Sequence, residues 1–221
     1  MSSGTARSGT AQDGTAQDDT AHDDSGRTGP AQVPARDLTG TALTTGRLVL
    51  SAPGEADIDE LTELCQDPDI AAWTTVPSPY TRADAEHFVR DITAGGMAAG
   101  TDAVFVLRHA TTGELLGMVG LHGIAARSDR RTAHAELGYW TAPQARGHGY
   151  ITEAARAVCR WGFEELGLER IDWMAFTGND GSRRVAEKVG FSLEGTQRRR
   201  HVQKGRVVDT WTGSLLRGEL R

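Results

Sequence analysis

The most constraining stretch of this 221-residue chain is Ala135 to Leu166, where apolar spacing changes from period two to period 3.6 across a glycine-punctuated turn. Leu137, Tyr139 and Trp140 form an apolar, aromatic run that reads as a buried strand, ended by Pro143. The turn is Gln144-Ala145-Arg146-Gly147-His148-Gly149. From Tyr150 onward, Ile151, Ala154, Ala155, Val158, Gly162 and Leu166 fall along one helical face. A strand that feeds a helix through glycines exposes first-turn N–H groups that have no intrahelical acceptor. They lie at the positive end of the helix dipole. That geometry binds an anion, and it is read here as a pyrophosphate cradle.

Composition narrows what the anion belongs to. Net charge is −6, of which residues 1–40 supply −3, from three Arg against six Asp. The remainder is mildly acidic, so nothing global favours nucleic acid as a partner. No apolar run approaches the roughly 20 residues that span a bilayer, and the N-terminus lacks a basic segment followed by an apolar one. A soluble, cytoplasmic protein with no membrane partner is expected. Cys65 and Cys159 both sit in helix-patterned segments and read as core thiols in a reducing compartment, not as a disulfide.

Residues 1–42 carry a five-residue repeat, beginning Gly4-Thr5-Ala6-Arg7-Ser8 and Gly9-Thr10-Ala11-Gln12-Asp13. The unit is too short and too polar to bury a face against its neighbours. Gly, Thr and Asp do not recover their ordering entropy, so a disordered low-complexity tail is predicted there, leaving one domain over 43–221. Within that domain Arg47–Ser51 reads as a strand. Asp57 opens a helix that Asp67-Pro68 stops, with Ile70 to Trp73 as a turn. Thr81 and Asp84 have the spacing of a capping box, and the helix they start fades at Gly95-Gly96. Strands follow at Ala103–Leu107, Leu115–Leu121 and His134–Trp140, the first two joined by a hairpin turn. After the glycine turn and its helix come a strand at Arg170–Phe176 and a second turn, Thr177 to Ser182. A helix ending at Gly190 and two late strands complete the chain. The order β-α-α-β-β-β-α-β-α-β-β is a mixed sheet with helices, not a repeated βαβ dinucleotide fold. The glycines are also not followed by the Lys-Ser/Thr of a nucleotide-binding P-loop.

Gln144, Gly147 and Gly149, framed by E-L-G-Y-W-T-A-P and Y-I-T-E-A, resemble the acyl-coenzyme A signature of GNAT-type N-acetyltransferases. Gly178 to Gly195 resembles the family's second segment, in which Asn-x-x-Ser opens a helix that ends in Gly-Phe. Gly205 to Leu216 resembles the RimJ/RimL-type branch, the ribosomal-protein alanine acetyltransferases. The resemblance runs from 45 to 218 and implies an α+β fold. Its central sheet is mixed, mostly antiparallel and twisted, flanked by helices, and two of its strands splay at the cofactor site. It implies acetyl-CoA as co-substrate, no metal, and an amine acceptor. Gly147 and Gly149 would let the pyrophosphate approach the backbone, with Arg146 and His148 adding side-chain contacts. Trp140 and Thr141 would offer backbone groups to pantetheine and Asn179 a side-chain bond, while Gln144 and Tyr150 complete the cofactor-binding set.

The implied chemistry is attack of an amine on a thioester. An alkylammonium is not a nucleophile, so a base is required, and the departing thiolate gains from a hydrogen-bond donor. Glu136 is the candidate base, acting through a water, although it also reads as a strand residue paired with an arginine. Ser182 is the candidate partner of the thiolate, although Ser is also a favoured helix cap. His122, His134 and His201 lack ligand spacing and read as non-metal. The run Arg198-Arg199-Arg200-His201 with Lys204 and Arg206 reads as a solvated hairpin, with an acidic substrate or ribosomal surface as the alternative. The acceptor is a protein N-terminal amine or a small-molecule or antibiotic amine, selected by residues 66–82 and the late hairpin. A non-catalytic acyl-CoA sensor is the rival reading, and a homodimer stays open.

Overall fold

The computed structural model describes residues 36–128 and 131–221; the repeats, within residues 1–35, lie outside the described residues. Eight strands follow in chain order: β1 (Ala42–Thr44), β2 (Leu48–Ser51), β3 (Ala103–His109), β4 (Leu115–Ala125), β5 (His134–Thr141), β6 (Arg170–Phe176), β7 (Ser192–Gln203) and β8 (Arg206–Leu216). They form one sheet in the order β1-β2-β3-β4-β5-β6-β8-β7. The β5–β6 pair is parallel, and the other neighbouring pairs are antiparallel. The helices are α1 (Ile58–Leu64), α2 (Pro68–Trp73), α3 (Arg82–His87), α4 (Ala94–Ala99), α5 (Tyr150–Glu164) and α6 (Asp180–Val189). The element order predicts the mixed sheet with helices, and the mostly antiparallel α+β architecture is the one the family resemblance implies.

The continuous apolar run of β3 is explained by its position near the middle of the sheet, covered on both faces. Phe105 and Leu107 join the core under α5, where Phe105 meets Trp161 edge-on with ring centroids 5.8 Å apart. Val104 and Val106 join the opposite core with Ile58, Leu61 and Ala85 from α1 and α3. On β4 the alternation breaks. Leu115 and Met118 face the second core, Leu116 and Val119 the first. The pairing with β3 shifts there, Leu107 facing Gly117 and Arg108 facing Leu115, so a bulge restores the apolar residues to the correct faces.

Several local expectations are corrected. Asp67-Pro68 starts a helix as well as ending one. The Asp67 carboxylate accepts from the N–H groups of Asp69 (3.1 Å) and Ile70 (3.0 Å), and Pro68 stands where its missing N–H costs nothing. Ile70 to Trp73 is therefore helical. The Thr81–Asp84 capping box forms as expected. Its helix does not fade at Gly95-Gly96 but runs on through a π segment, Phe88–Thr93, and α4 to Gly100, which closes it at φ +70°. Asn179, not Ser182, caps α6.

The packed chain also begins before residue 43, the boundary drawn from composition. Leu38 is 2% exposed, its N–H donates to the Met97 carbonyl at 2.9 Å, and β1 opens at Ala42. One leucine within a polar run is too weak a signal to read from the sequence. Leu38→Ala is expected to cost about 2–5 kcal/mol, the range for emptying a buried leucine site, measured as the shift in the denaturant midpoint. Unchanged stability would remove residues 36–42 from the domain.

Candidate active site

Strands β5 and β6 pair over four positions only, from His134↔Arg170 to Leu137↔Trp173. β5 continues to Thr141 along β4, and β6 continues to Phe176 along β8. Gly138–Thr141 and Met174–Phe176 thus face each other without a shared ladder. The parted edges open into a cleft of about 1270 Å³. Of the residues singled out in the sequence, Glu136, Trp140, Thr141, Arg146, Gly147, Gly149, Tyr150, Asn179 and Ser182 all line it. Gln144 and His148 are exposed and lie outside that lining.

At one end of the cleft is the glycine turn. Gly147 and Gly149 both adopt left-handed φ values, +79° and +78°. A side chain is disfavoured at either position by conformation, and a Cβ at Gly147 would meet no protein atom within 4 Å. The turn is braced by Arg47, which the sequence reading passed over. Its guanidinium donates to Glu153 (2.7 Å) and to the His148 carbonyl (3.1 Å) and lies 4.5 Å from the Tyr150 ring centroid. It thereby neutralises the one carboxylate in the first turn of α5, which would otherwise repel an anion there. Tyr150 stacks on His148 at 5.7 Å, and the His148 ring is tied to the Arg146 carbonyl. The Arg146 side chain departs from its expected role. It points back to α2, pairing with Asp67 at 2.5 Å and Asp69 at 2.9 Å. Its guanidinium locks the turn onto α2 and is not a free phosphate ligand.

The first turn of α6 lies over the point where the strands part. The Asn179 Oδ1 atom caps the helix by accepting from the Ser182 N–H at 3.0 Å. Trp173, 2% exposed at the last β5–β6 pair, donates its indole N–H to the Ser182 hydroxyl at 3.1 Å. The Tyr139 hydroxyl lies 3.0 Å from the same oxygen and donates to the Ser182 carbonyl at 2.9 Å. Two rings on the inner strands therefore hold one serine in place.

Glu136 occupies the opposite face of β5, level with His122 on β4 and Asp172 on β6. Burial, and then the Asp172 charge alongside, raise its carboxyl above the usual glutamate range. The walls beyond it include Trp73, Tyr80 and Phe88, with Asp69 and Asp84. Gln203, near the tip of the β7–β8 hairpin, donates to the carbonyls of Ala71 (3.1 Å), Ala72 (3.3 Å) and Thr74 (2.6 Å). It satisfies the C-terminal end of α2 from a strand more than a hundred residues away. The basic run on β7 is exposed, apart from His201, which turns inward to the Thr210 hydroxyl at 2.9 Å. Burial pushes the Cys65 thiol up to about 12, and Cys159 is buried and raised as well, so neither is poised as a nucleophile. Among the described residues no cluster of His, Cys, Asp or Glu could hold a metal ion, and no helix is long and apolar enough to cross a membrane.

An anion turn, a strand-edge channel leading from it and an acid-lined chamber at its end define a group transferase. The chain belongs to the GNAT acetyltransferase family, whose domain matches residues 47–192. It is similar to YdaF, a candidate ribosomal N-acetyltransferase of Bacillus subtilis, at 40% identity over 107 residues. That match covers 48% of this chain and a little more than half, 56%, of YdaF. It is 28% identical to the uncharacterized N-acetyltransferase p20 of Bacillus licheniformis over 80% of this chain and 97% of that protein. Its fold matches that of RimL, a ribosomal L7/L12 alpha-N-protein acetyltransferase solved in complex with coenzyme A. The TM-score is 0.72 at 17% identity, over 80% of this chain and 98% of that one.

The raised Glu136 carboxyl predicts a stability signature with a definite sign. The folded chain holds this proton more tightly than the unfolded chain, so stability falls as pH rises from the unfolded value, about 4.3, to the raised folded value. Glu136→Gln removes the buried charge. It should melt higher than wild type at neutral pH, with the gap closing at acid pH where wild type is already neutral. A gap that widens on acidification would contradict the burial argument.

Proposed function

We propose that this chain transfers an acetyl group from acetyl-CoA to a primary amine by direct attack on the thioester. The observation that carries the reading is the continuity of the parted β5 and β6 edges with the left-handed glycine turn at the start of α5. A ligand that is a pyrophosphate at one end and an extended amide chain for the rest satisfies both. The phosphates meet first-turn N–H groups, and the amides meet strand edges that lack a ladder. Coenzyme A has that shape, and when bound it supplies a thioester carbonyl open to attack. Gly147, Gly149 and Tyr150 would meet the pyrophosphate. Backbone groups of Trp140 and Thr141, with the Asn179 amide nitrogen, would meet the pantetheine.

The chain's own residues then divide the proton work. Glu136, its carboxyl raised by burial and the Asp172 charge, draws a proton from the acceptor ammonium through an intervening proton carrier. The Ser182 hydroxyl, on the other face of the parting, offers a hydrogen bond to the sulfur. The acceptor wall of Trp73, Tyr80 and Phe88 with Asp69, Asp84 and Glu136 suits a cation carried on an apolar body. A protein N-terminal amine and a small-molecule amine both answer that description. The name of YdaF favours a ribosomal-protein N-terminus.

Ligand-dependent melting tests the carrier. At 100-fold excess over Kd, acetyl-CoA should stabilise by about 2.7 kcal/mol, whereas ATP should not. A shift with ATP and none with any CoA ester would overturn the assignment. Thiol release should be followed with an unblocked alanyl peptide, 2-phenylethylamine, a polyamine and an aminoglycoside. At least one should turn over, and Glu136→Gln should lower that rate on the order of 10²-fold. Binding without release for every amine would favour the sensor reading.

A further inference from the structure

Asp102, immediately before β3, and His122 on β4 form a pair that the sequence reading assigned no role. The His122 Nδ1 atom lies 3.2 Å from the Asp102 carboxylate. That carboxylate is itself fixed by the Thr101 hydroxyl at 2.9 Å and the Gly123 N–H at 3.3 Å. A carboxylate on Nδ1 holds the proton there and leaves the Nε2 lone pair free to accept. The Nε2 edge of the ring reaches over Gly120 of β4 and Gly138 of β5. A Cβ would stand 3.0 Å from Nε2 at Gly120 and 3.2 Å at Gly138, closer than side chains normally approach. Two glycines thus make the seat for this imidazole. Gly138 is also the first residue of β5 beyond the last pair with β6. The free nitrogen therefore points to the closed end of the channel, where a chain entering from the glycine turn would place its reactive terminus.

We infer that His122, oriented by Asp102, is the group that takes the proton directly from the acceptor amine, with Glu136 beside it. This inference rests on the acetyl-transfer reading. Nε2 accepts one proton from the ammonium; the nitrogen forms its bond to the acetyl carbon, and the carbon–sulfur bond breaks. The nitrogen's second proton goes to the departing sulfur, and the imidazolium releases the first to solvent through its exposed side, 45% open. The imidazolium is formed between two carboxylates, Asp102 at its back and Glu136 level with it on the neighbouring strand. Asp172, paired with Arg170, lies one strand further on. Across the cleft stand Asp84 and His87 of α3 and His201 of β7.

The test uses the full chain, acetyl-CoA and whichever amine of the panel wild type acetylates. His122→Ala should leave the melting temperature and the acetyl-CoA Kd unchanged. It should lower kcat/KM for the amine by about 10²- to 10³-fold at neutral pH. The deficit should shrink as pH rises toward the amine's own pKa, and added imidazole should restore part of the rate. Asp102→Asn, a positioning variant, should show a smaller loss with the same dependence on pH. A His122→Ala enzyme within a few-fold of wild type at every pH, or a loss that neither high pH nor imidazole relieves, overturns the role. If wild type binds acetyl-CoA but acetylates no amine, the acetyl-transfer reading fails and this role fails with it. Activity in wild type with an indifferent His122→Ala refutes this inference alone.

Discussion

Everything in the site depends on the separation of β5 from β6 after Leu137 and Trp173. Parallel neighbours are normally buried and continuously paired, and leaving their N–H and C=O groups without partners is costly. Here the parting is propped from one side. The Trp173 indole and the Tyr139 hydroxyl both reach Ser182, so the first turn of α6 is fastened over the fork by the strands it separates. Each strand keeps its other neighbour, β4 or β8, so the opening does not fray the sheet. The fork leaves the edges of two inner strands facing the cleft.

The two faces of the fork carry different chemistry because of strand parity. Odd-numbered Leu137 and Tyr139 look toward α5 and α6, and even-numbered Glu136 and Gly138 look toward the chamber roofed by α1, α2 and α3. A single strand therefore presents the Tyr139 contact to Ser182 on one side and the Glu136 carboxyl on the other. The bulge at Gly117 matters to this division. It restores the alternation on β4, so that His122 and Met118 share the chamber face with Glu136.

The glycine turn and the succession of strands along the chain from Arg47 onward were legible in the sequence because each rests on contiguous residues with strong periodicity or forced backbone geometry. Gly147 and Gly149 are left-handed, and no other residue tolerates that so readily. The shared cleft of Glu136, Asn179 and Ser182 was legible through resemblance, not spacing, since 46 residues separate the first and last. What escaped were side chains whose meaning depends on distant partners. Arg146 reads as a phosphate ligand until Asp67 and Asp69 are seen beside it. His122 has no partner at any recognisable spacing, because Asp102 reaches it through the β3–β4 pairing. Arg47 and Gln203 brace elements about a hundred residues away. The Asp67-Pro68 dipeptide did carry a local signal, an N-cap followed by proline, but it reads equally as a stop.

Helix α2, six residues long, is held at both ends from elsewhere: by Arg146 of the glycine turn at its start and by Gln203 of the β7–β8 hairpin at its finish. The chamber wall formed by α2 is thus bolted to the glycine turn and to the β7–β8 hairpin. Helix α2 is not a module that can be exchanged between relatives without its two anchors. Drift toward a new acceptor would have to preserve Asp67, Asp69 and Gln203, or replace all three together, which confines variation to the residues between the bolts.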